Sequence, residues 1–331
     1  MGIYQRSGCQ ASASRRLPVS PVLAVLAGLA FGSAGFEVRA QVPYVPTPLD
    51  VVQRMLTMAK VSASDYLIDL GSGDGRVVRE AARRYGARGL GVDLDPELVA
   101  RSTELARQDG VADKVAFMAQ DLFQTELGQA TVVTMYLLPA VNMKLRPRLL
   151  GLAPGTRVVS HDFDLGDWQP DETDEIYSPE KFGGGNSKVY LWIVPADFSG
   201  RWQWRMDVAG QTLDYELRAT QRFQNAEASV RVGGEPKKLE KLTLHGDAVS
   251  FTVVGEIKGS TVRQQFSGRI AGDTVQGTVI LSGIRLQGVA EWSATRSERG
   301  FRSVREPAVT VASAARSILF FSGARAGAGA R

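Results

Sequence analysis

The chain has 331 residues, enough for one large domain or two medium ones, and its 44% apolar and 22% charged content is ordinary for a globular protein. Its net charge of +4 is unevenly placed: residues 1–40 carry +3, residues 296–331 carry +5, and the body between them is left at −4. A mildly acidic body argues against a nucleic-acid surface, and one cysteine with two histidines argues against a disulfide framework or a metal centre.

At the amino terminus, Arg6, Arg15 and Arg16 precede an uncharged run over residues 17–36, and Val38-Arg39-Ala40 sets small residues at the −3 and −1 positions of a cleavage site. Residues 1–40, which include Cys9, therefore read as an export signal or, left uncleaved, a membrane anchor. Either places the body outside the cytoplasm, because the arginines stay inside. Thr47-Pro48-Leu49-Asp50 then has the spacing of a capping box with proline at the first helical position, and Val51, Val52, Met55, Leu56 and Met58 repeat at helical intervals over residues 48–60.

From there strands and helices alternate. Short apolar strands are expected at residues 66–70, 89–93, 115–119, 131–137 and 156–161, with helices at 76–85, 96–108 and 142–152. Alternation of this kind predicts a parallel sheet covered on both faces. Residues 175–177 and 188–194, joined by a turn through Gly183-Gly184-Gly185-Asn186, predict a closing antiparallel pair. The fold class over residues 41–197 is thus α/β, a seven-stranded, Rossmann-like, doubly wound sheet. Residues 198–296 offer short alternating runs and no helix, so a small all-β domain, a sandwich or a barrel, is expected there. Trp202, Trp204 and Trp292 are read as its packing and His245 as a turn residue without a chemical task. Residues 297–331, rich in Arg, Ala, Ser and Gly, read as a disordered tail.

The chemistry is concentrated at Asp69-Leu70-Gly71-Ser72-Gly73-Asp74-Gly75-Arg76, where a strand gives way to a helix. Glycines there let the backbone approach a ligand, and exposed helix amides favour an anionic group. Asp93 ends the next strand, where a carboxylate can accept both ribose hydroxyls of an adenosine. A dinucleotide fingerprint needs a third glycine at position 76, which is arginine here, and Asp74 would repel a pyrophosphate. Asp74 suits instead a ligand with an ammonium group, such as the methionine end of S-adenosylmethionine, which Asp69 would also help to hold.

Gly71 to Gly75, Asp93 and Asp121-Leu122 resemble motifs of class I S-adenosylmethionine-dependent methyltransferases. The resemblance implies that cofactor, with Asp121 facing its adenine and Leu122 beside it. Pro43-Tyr44-Val45-Pro46-Thr47-Pro48, residues 69–76 and Tyr136-Leu137-Leu138-Pro139 are similar to a narrower group of protein-lysine N-methyltransferases. That group includes mitochondrial enzymes that methylate ATP synthase subunit c and the adenine nucleotide carrier. Its mitochondrial members end the second strand on a glutamate-type residue, where this chain has Asp93. On this basis Tyr44 and Thr47 are expected to fold over the cofactor as a lid, Tyr136 to line the methyl-transfer site, and His161-Asp162 to shape the acceptor pocket. A protein lysine is the expected acceptor, and membrane association would come through the N-terminal segment. A small-molecule acceptor, or an exported nucleoside-binding protein without turnover, remain alternatives.

Overall fold

The computed structural model describes residues 44–300 except 182 and 285, so the expected export segment, Cys9 and most of the expected tail lie outside the described residues. Helix α1 (Leu49–Met58) leads into strand β1 (Tyr66–Leu70), then α2 (Arg76–Tyr85), β2 (Arg88–Asp93), α3 (Pro96–Gln108), β3 (Val115–Ala119) and a 3-10 turn at Leu122–Gln124. Strand β4 (Val132–Met135), α4 (Pro139–Leu150), β5 (Arg157–His161), β6 (Glu172–Ser178) and β7 (Gly185–Ile193) complete this part. The strands form one seven-stranded sheet in the order β3-β2-β1-β4-β5-β7-β6. Neighbours from β3 to β5 run parallel, and β7 is antiparallel to both β5 and β6. This is the doubly wound class expected.

Alternation along the strands divides the core between the two faces. Leu67 of β1 and Val132 of β4 join Val51, Leu56, Val77, Val78 and Ala106 from α1, α2 and α3. Ile68 and Leu70 of β1 and Val133 and Met135 of β4 join Leu145 and Leu149 from α4 on the opposite face. Where caps are strong, the boundaries match the sequence: Asp95 accepts from the Glu97 amide ahead of Pro96 at the start of α3, and Gly86 (φ 73°) ends α2 in the left-handed region.

Several boundaries differ from expectation, among them the end of β4, which stops at Met135 rather than at residue 137, and the start of β6, at Glu172 rather than residue 175. Helix α1 starts with Pro48 as its cap and no side-chain capping bond, because the Thr47 hydroxyl instead serves the buried ring of His161, 3.2 Å from Nδ1. Helix α4 begins at Pro139, three residues earlier than expected, since proline is well suited to a first helical position. Gly185 and Asn186 belong to β7 rather than to a turn, paired with Ser178 and Tyr177 of β6.

Residues 194–199 lead to eight strands: β8 (Gly200–Val208), β9 (Gln211–Arg222), β10 (Asn225–Val232), β11 (Glu235–His245), β12 (Ala248–Ile257), β13 (Ser260–Ala271), β14 (Thr274–Gly283) and β15 (Gln287–Arg299). Each pairs antiparallel with the next, and β15 pairs with β8 to close a barrel. Closure leaves no free edge, which decides between barrel and sandwich. It also carries β15 to Arg299, beyond the expected end at 296, because that stretch pairs with Gly200 and Arg201. Inside, Trp204, Tyr215, Phe251, Phe266 and Trp292 form one aromatic cluster, in which Trp204 and Tyr215 stack at 4.9 Å. Trp202, Trp204 and Trp292 are thus core residues, while His245 is exposed at the end of β11. A cavity of about 290 Å³ among Leu213, Val232, Lys237, Ile257 and Gln264 opens at one barrel end.

The other barrel end is packed against the sheet. The β9–β10 turn places Phe223, at φ 54°, in the core of the α4 face, where Trp168 Nε1 donates to Gln224 Oε1 at 3.0 Å and Arg222 meets Asp167 at 2.7 Å.

Candidate active site

Strand β1 runs out at Asp69-Leu70, and the chain turns through Gly71, Gly73 and Gly75 at φ 79°, 54° and 75°. Glycine is required at all three positions by close neighbours as well as by backbone conformation. A Cβ on Gly71 would lie 2.8 Å from Leu137 Cδ2, one on Gly73 would lie 2.3 Å from the Tyr44 ring, and one on Gly75 would lie 2.4 Å from the Phe117 ring.

The amides of this corner are not free. Gly71 and Ser72 both donate to Val92 O at 2.9 Å, Gly73 to Asp93 Oδ2 at 2.8 Å, Gly75 to Ser72 O at 2.8 Å, and Arg76 to Asp74 Oδ1 at 3.2 Å. Of the amides expected to cradle an anion, those of Gly71, Ser72 and Gly73 instead fasten the turn to β2.

Carboxylates take the place of that nest. Asp69 is buried and accepts from Thr134 Oγ1 at 2.7 Å. Burial pushes its pKa up to about 7; the Thr134 bond opposes the rise, and the negative charges of Asp93 and Asp74 add to it. Asp93 holds the turn with one oxygen and accepts from the Asp95 amide with the other, at 3.0 Å. Asp74 is spoken for in a different way from that expected. Arg76 grips both its oxygens, Nε to Oδ1 at 2.9 Å and Nη2 to Oδ2 at 2.7 Å, and reaches Thr47 O with Nη1 at 2.8 Å. Burial alone would raise the Asp74 pKa, but the hydrogen bonds and charge of Arg76 outweigh it and bring it below the usual value. Tyr44 lies across Gly73 with its hydroxyl close to Asp74, and its own pKa is raised by burial and then by that carboxylate. Asp74 and Arg76 thus tie the lead-in bearing Tyr44 and Thr47 to the corner.

Among the described residues no cation pairs with Asp69 or Asp93. A site with a buried carboxylate that no described cation compensates fits a ligand that brings positive charge on a nucleoside frame, as S-adenosylmethionine does with its ammonium and sulfonium groups. Asp69 would face the cationic end, Asp93 the ribose, and the glycines the close backbone approach. Leu94, directly after Asp93, is an apolar residue 64% exposed. Asp121 and Leu122 follow β3, which pairs with β2 through Asp93 and Ala119. The Asp121 carboxylate caps the 3-10 turn, accepting from the Phe123 amide at 2.9 Å and from Gln124 Nε2 at 3.3 Å.

The next strand end brings in the acceptor-side residues. Leu137 touches Gly71, and Tyr136 beside it lies 4.0 Å from the His161 ring and 6.1 Å from Phe163, centroid to centroid. Its hydroxyl donates to Asp162 Oδ2 at 3.4 Å. Burial, then the Asp162 charge, pushes the Tyr136 pKa up to about 12. His161 is buried between Thr47 Oγ1 and Ser187 Oγ, and burial, against the pull of Asp162, lowers its pKa to about 4. It is a neutral hydrogen-bonding residue at pH 7 rather than a base. Thr134, Leu137 and Arg76 carry roles here that spacing alone did not disclose.

Comparison with known proteins adds a family. Residues 69–172 match the model described as the ANTKMT methyltransferase domain. A protein-lysine N-methyltransferase of Saccharolobus islandicus (strain REY15A) is 41% identical over 155 residues, 46% of this chain and 94% of the relative. The adenine nucleotide translocase lysine N-methyltransferase of Mus musculus is 34% identical over 183 residues, 53% of this chain and 78% of the relative. A crystal structure described as an RNA methyltransferase from Salinibacter ruber in complex with S-adenosyl-L-homocysteine is 52% identical, with a TM-score of 0.43, covering 46% of this chain and 96% of that one.

Proposed function

Because this chain belongs to the ANTKMT methyltransferase family, with protein-lysine N-methyltransferases among its relatives, we propose that it transfers the methyl group of S-adenosylmethionine to a lysine side chain of a protein. The observation that carries this reading is the acidic glycine corner, with Asp69 buried and without a cation and Asp93 turned onto Gly73. Bound there, the cofactor supplies a methyl carbon already activated by its positive sulfur. What remains for the protein is alignment and exclusion of water. Asp69 and Asp93 grip and orient, Tyr44 covers the corner, and the Tyr136, His161 and Phe163 rings wall the side from which an amine would come. Those rings are uncharged at pH 7, so the wall sets no positive charge against an incoming amine.

Residues 1–40 would take the enzyme out of the cytoplasm or hold it to a membrane, so its protein acceptor would be membrane-associated or extracytoplasmic. The test is incubation of the purified full chain with methyl-labelled S-adenosylmethionine and a membrane-enriched lysate, with identification of the labelled residue by mass spectrometry. Label on lysine supports the proposal. Label on small molecules or nucleic acid, or no label, overturns it.

A further inference from the structure

Asp162 holds more partners than a pocket wall requires. It follows β5 in the left-handed region, at φ 60°, a conformation that an aspartate tolerates better than most side chains. Its carboxylate accepts from the Tyr136 hydroxyl at 3.4 Å, from the Lys188 amide at 3.1 Å, and from the Lys181 ammonium at 3.0 Å on Oδ1 and 2.8 Å on Oδ2. Lys181 comes from the loop between β6 and β7, and the same ammonium donates to Asn186 O at 2.5 Å. A lysine ammonium therefore already sits beside the Tyr136 hydroxyl, against a carboxylate framed by the Tyr136 and neutral His161 rings.

We infer that the Asp162 carboxylate is the subsite for the acceptor's ammonium group, and that Lys181 is an internal occupant which an incoming lysine displaces. The inference rests on the lysine-methyltransferase reading above and specifies how the acceptor is seated. The exchange is chemically even, one primary ammonium for another. Lys181 is 26% exposed and Asp162 16%, so the pair is open to solvent on one side, from which a competing ammonium can approach. The Gly183-Gly184 sequence that follows Lys181, at φ 80° and 67°, gives the loop backbone freedom to swing the side chain away. Once the substrate ammonium is seated, it sheds one proton to solvent while the carboxylate keeps the nitrogen positioned. The nitrogen lone pair then bonds the methyl carbon, whose bond to sulfur breaks with the electron pair staying on sulfur.

Two measurements on the full chain test this. In the cofactor-free protein, acetylation with N-hydroxysuccinimidyl acetate, read by mass spectrometry, should be slow at Lys181 and several-fold faster in D162N. In the lysate assay, K181A should lower the half-saturating lysate concentration about tenfold, the gain expected when an occupant filling some nine-tenths of sites is removed. D162N should raise that concentration at least as much, D162E should recover part of it, and calorimetric affinity for S-adenosylmethionine should stay the same in all three. A structural ion pair would change stability without moving half-saturation. If the wild type labels lysine and neither K181A nor D162N moves half-saturation, the subsite assignment is wrong. If the wild type labels no lysine, the parent reading falls and takes this one with it.

Discussion

Phe223 of the barrel lies face to face with Trp168 beside the sheet, the ring centroids 5.9 Å apart and the planes 13° from parallel. The contact answers a deficit in the fold. Helices α1, α2 and α3 cover one face of the sheet, whereas among the described residues α4 is the only α-helix contributing to the core of the other. The loop with Trp168 and the β9–β10 turn fill the remainder, and Phe223 is 2% exposed there. The guanidinium carbons of Arg146 and Arg222 lie 5.6 and 5.8 Å from its ring centre, which adds cation–π attraction. In this structure the barrel is part of the core that supports the catalytic sheet.

Truncating that wedge should be costly. F223A is expected to lower unfolding stability by about 3–5 kcal/mol, the usual loss for a buried aromatic. Alanine keeps the Cβ, so the strain at φ 54° stays and offsets none of this loss. Urea unfolding showing a loss below about 1 kcal/mol would mean that sheet and barrel are stable independently.

Asp93 should separate binding from folding. D93A removes the acceptor for the Gly73 and Asp95 amides and the expected grip on ribose. Affinity for S-adenosylmethionine by calorimetry should fall at least about tenfold, roughly the worth of one charge-assisted hydrogen bond, with the far-UV circular dichroism unchanged. Unaltered affinity in a folded variant would be evidence against the ribose assignment.

Asp69 and His161 should leave opposing marks on stability against pH. The Asp69 pKa is raised from 3.8 to about 7, so the stability it permits is full below about pH 3.8 and lost as pH rises through about 7. That of His161 is lowered from 6.5 to about 4, so its contribution is present above 6.5 and lost as pH falls through 4. Between pH 4 and 6.5 the two slopes oppose each other. D69N should therefore become acid-sensitive in that window and exceed the wild type in stability at pH 8, while H161Q should lose stability as pH rises. Parallel melting curves for all three proteins from pH 4 to 8 would refute both assignments.

Tyr136 should act on turnover and leave cofactor binding alone. Y136F keeps the ring against His161 and removes the hydroxyl that reaches Asp162. A fall in kcat of about tenfold or more is expected, with cofactor affinity held within about twofold, the pattern of a group that serves the acceptor side of the site. Equal kcat for the two proteins would return Tyr136 to a packing role.

The stretch from β1 through the glycine turn to α2, and Asp93 at the end of β2, was legible in the sequence because each depends on a short-range rule. A strand shows itself within five residues, a helix within two turns, and a backbone that must turn with positive φ selects glycine locally. Partners distant along the chain are chosen differently. Thr47 looked like a helix cap and instead bonds His161, 114 positions away. Lys181 meets Asp162 beside the pairing of β7 with β5, and Phe223 on the β9–β10 turn meets Trp168 on a loop of the sheet, 55 positions away. A hydroxyl, an ammonium or a phenyl ring carries no mark of which distant group will satisfy it; tertiary packing makes that choice by leaving each buried group few partners within reach.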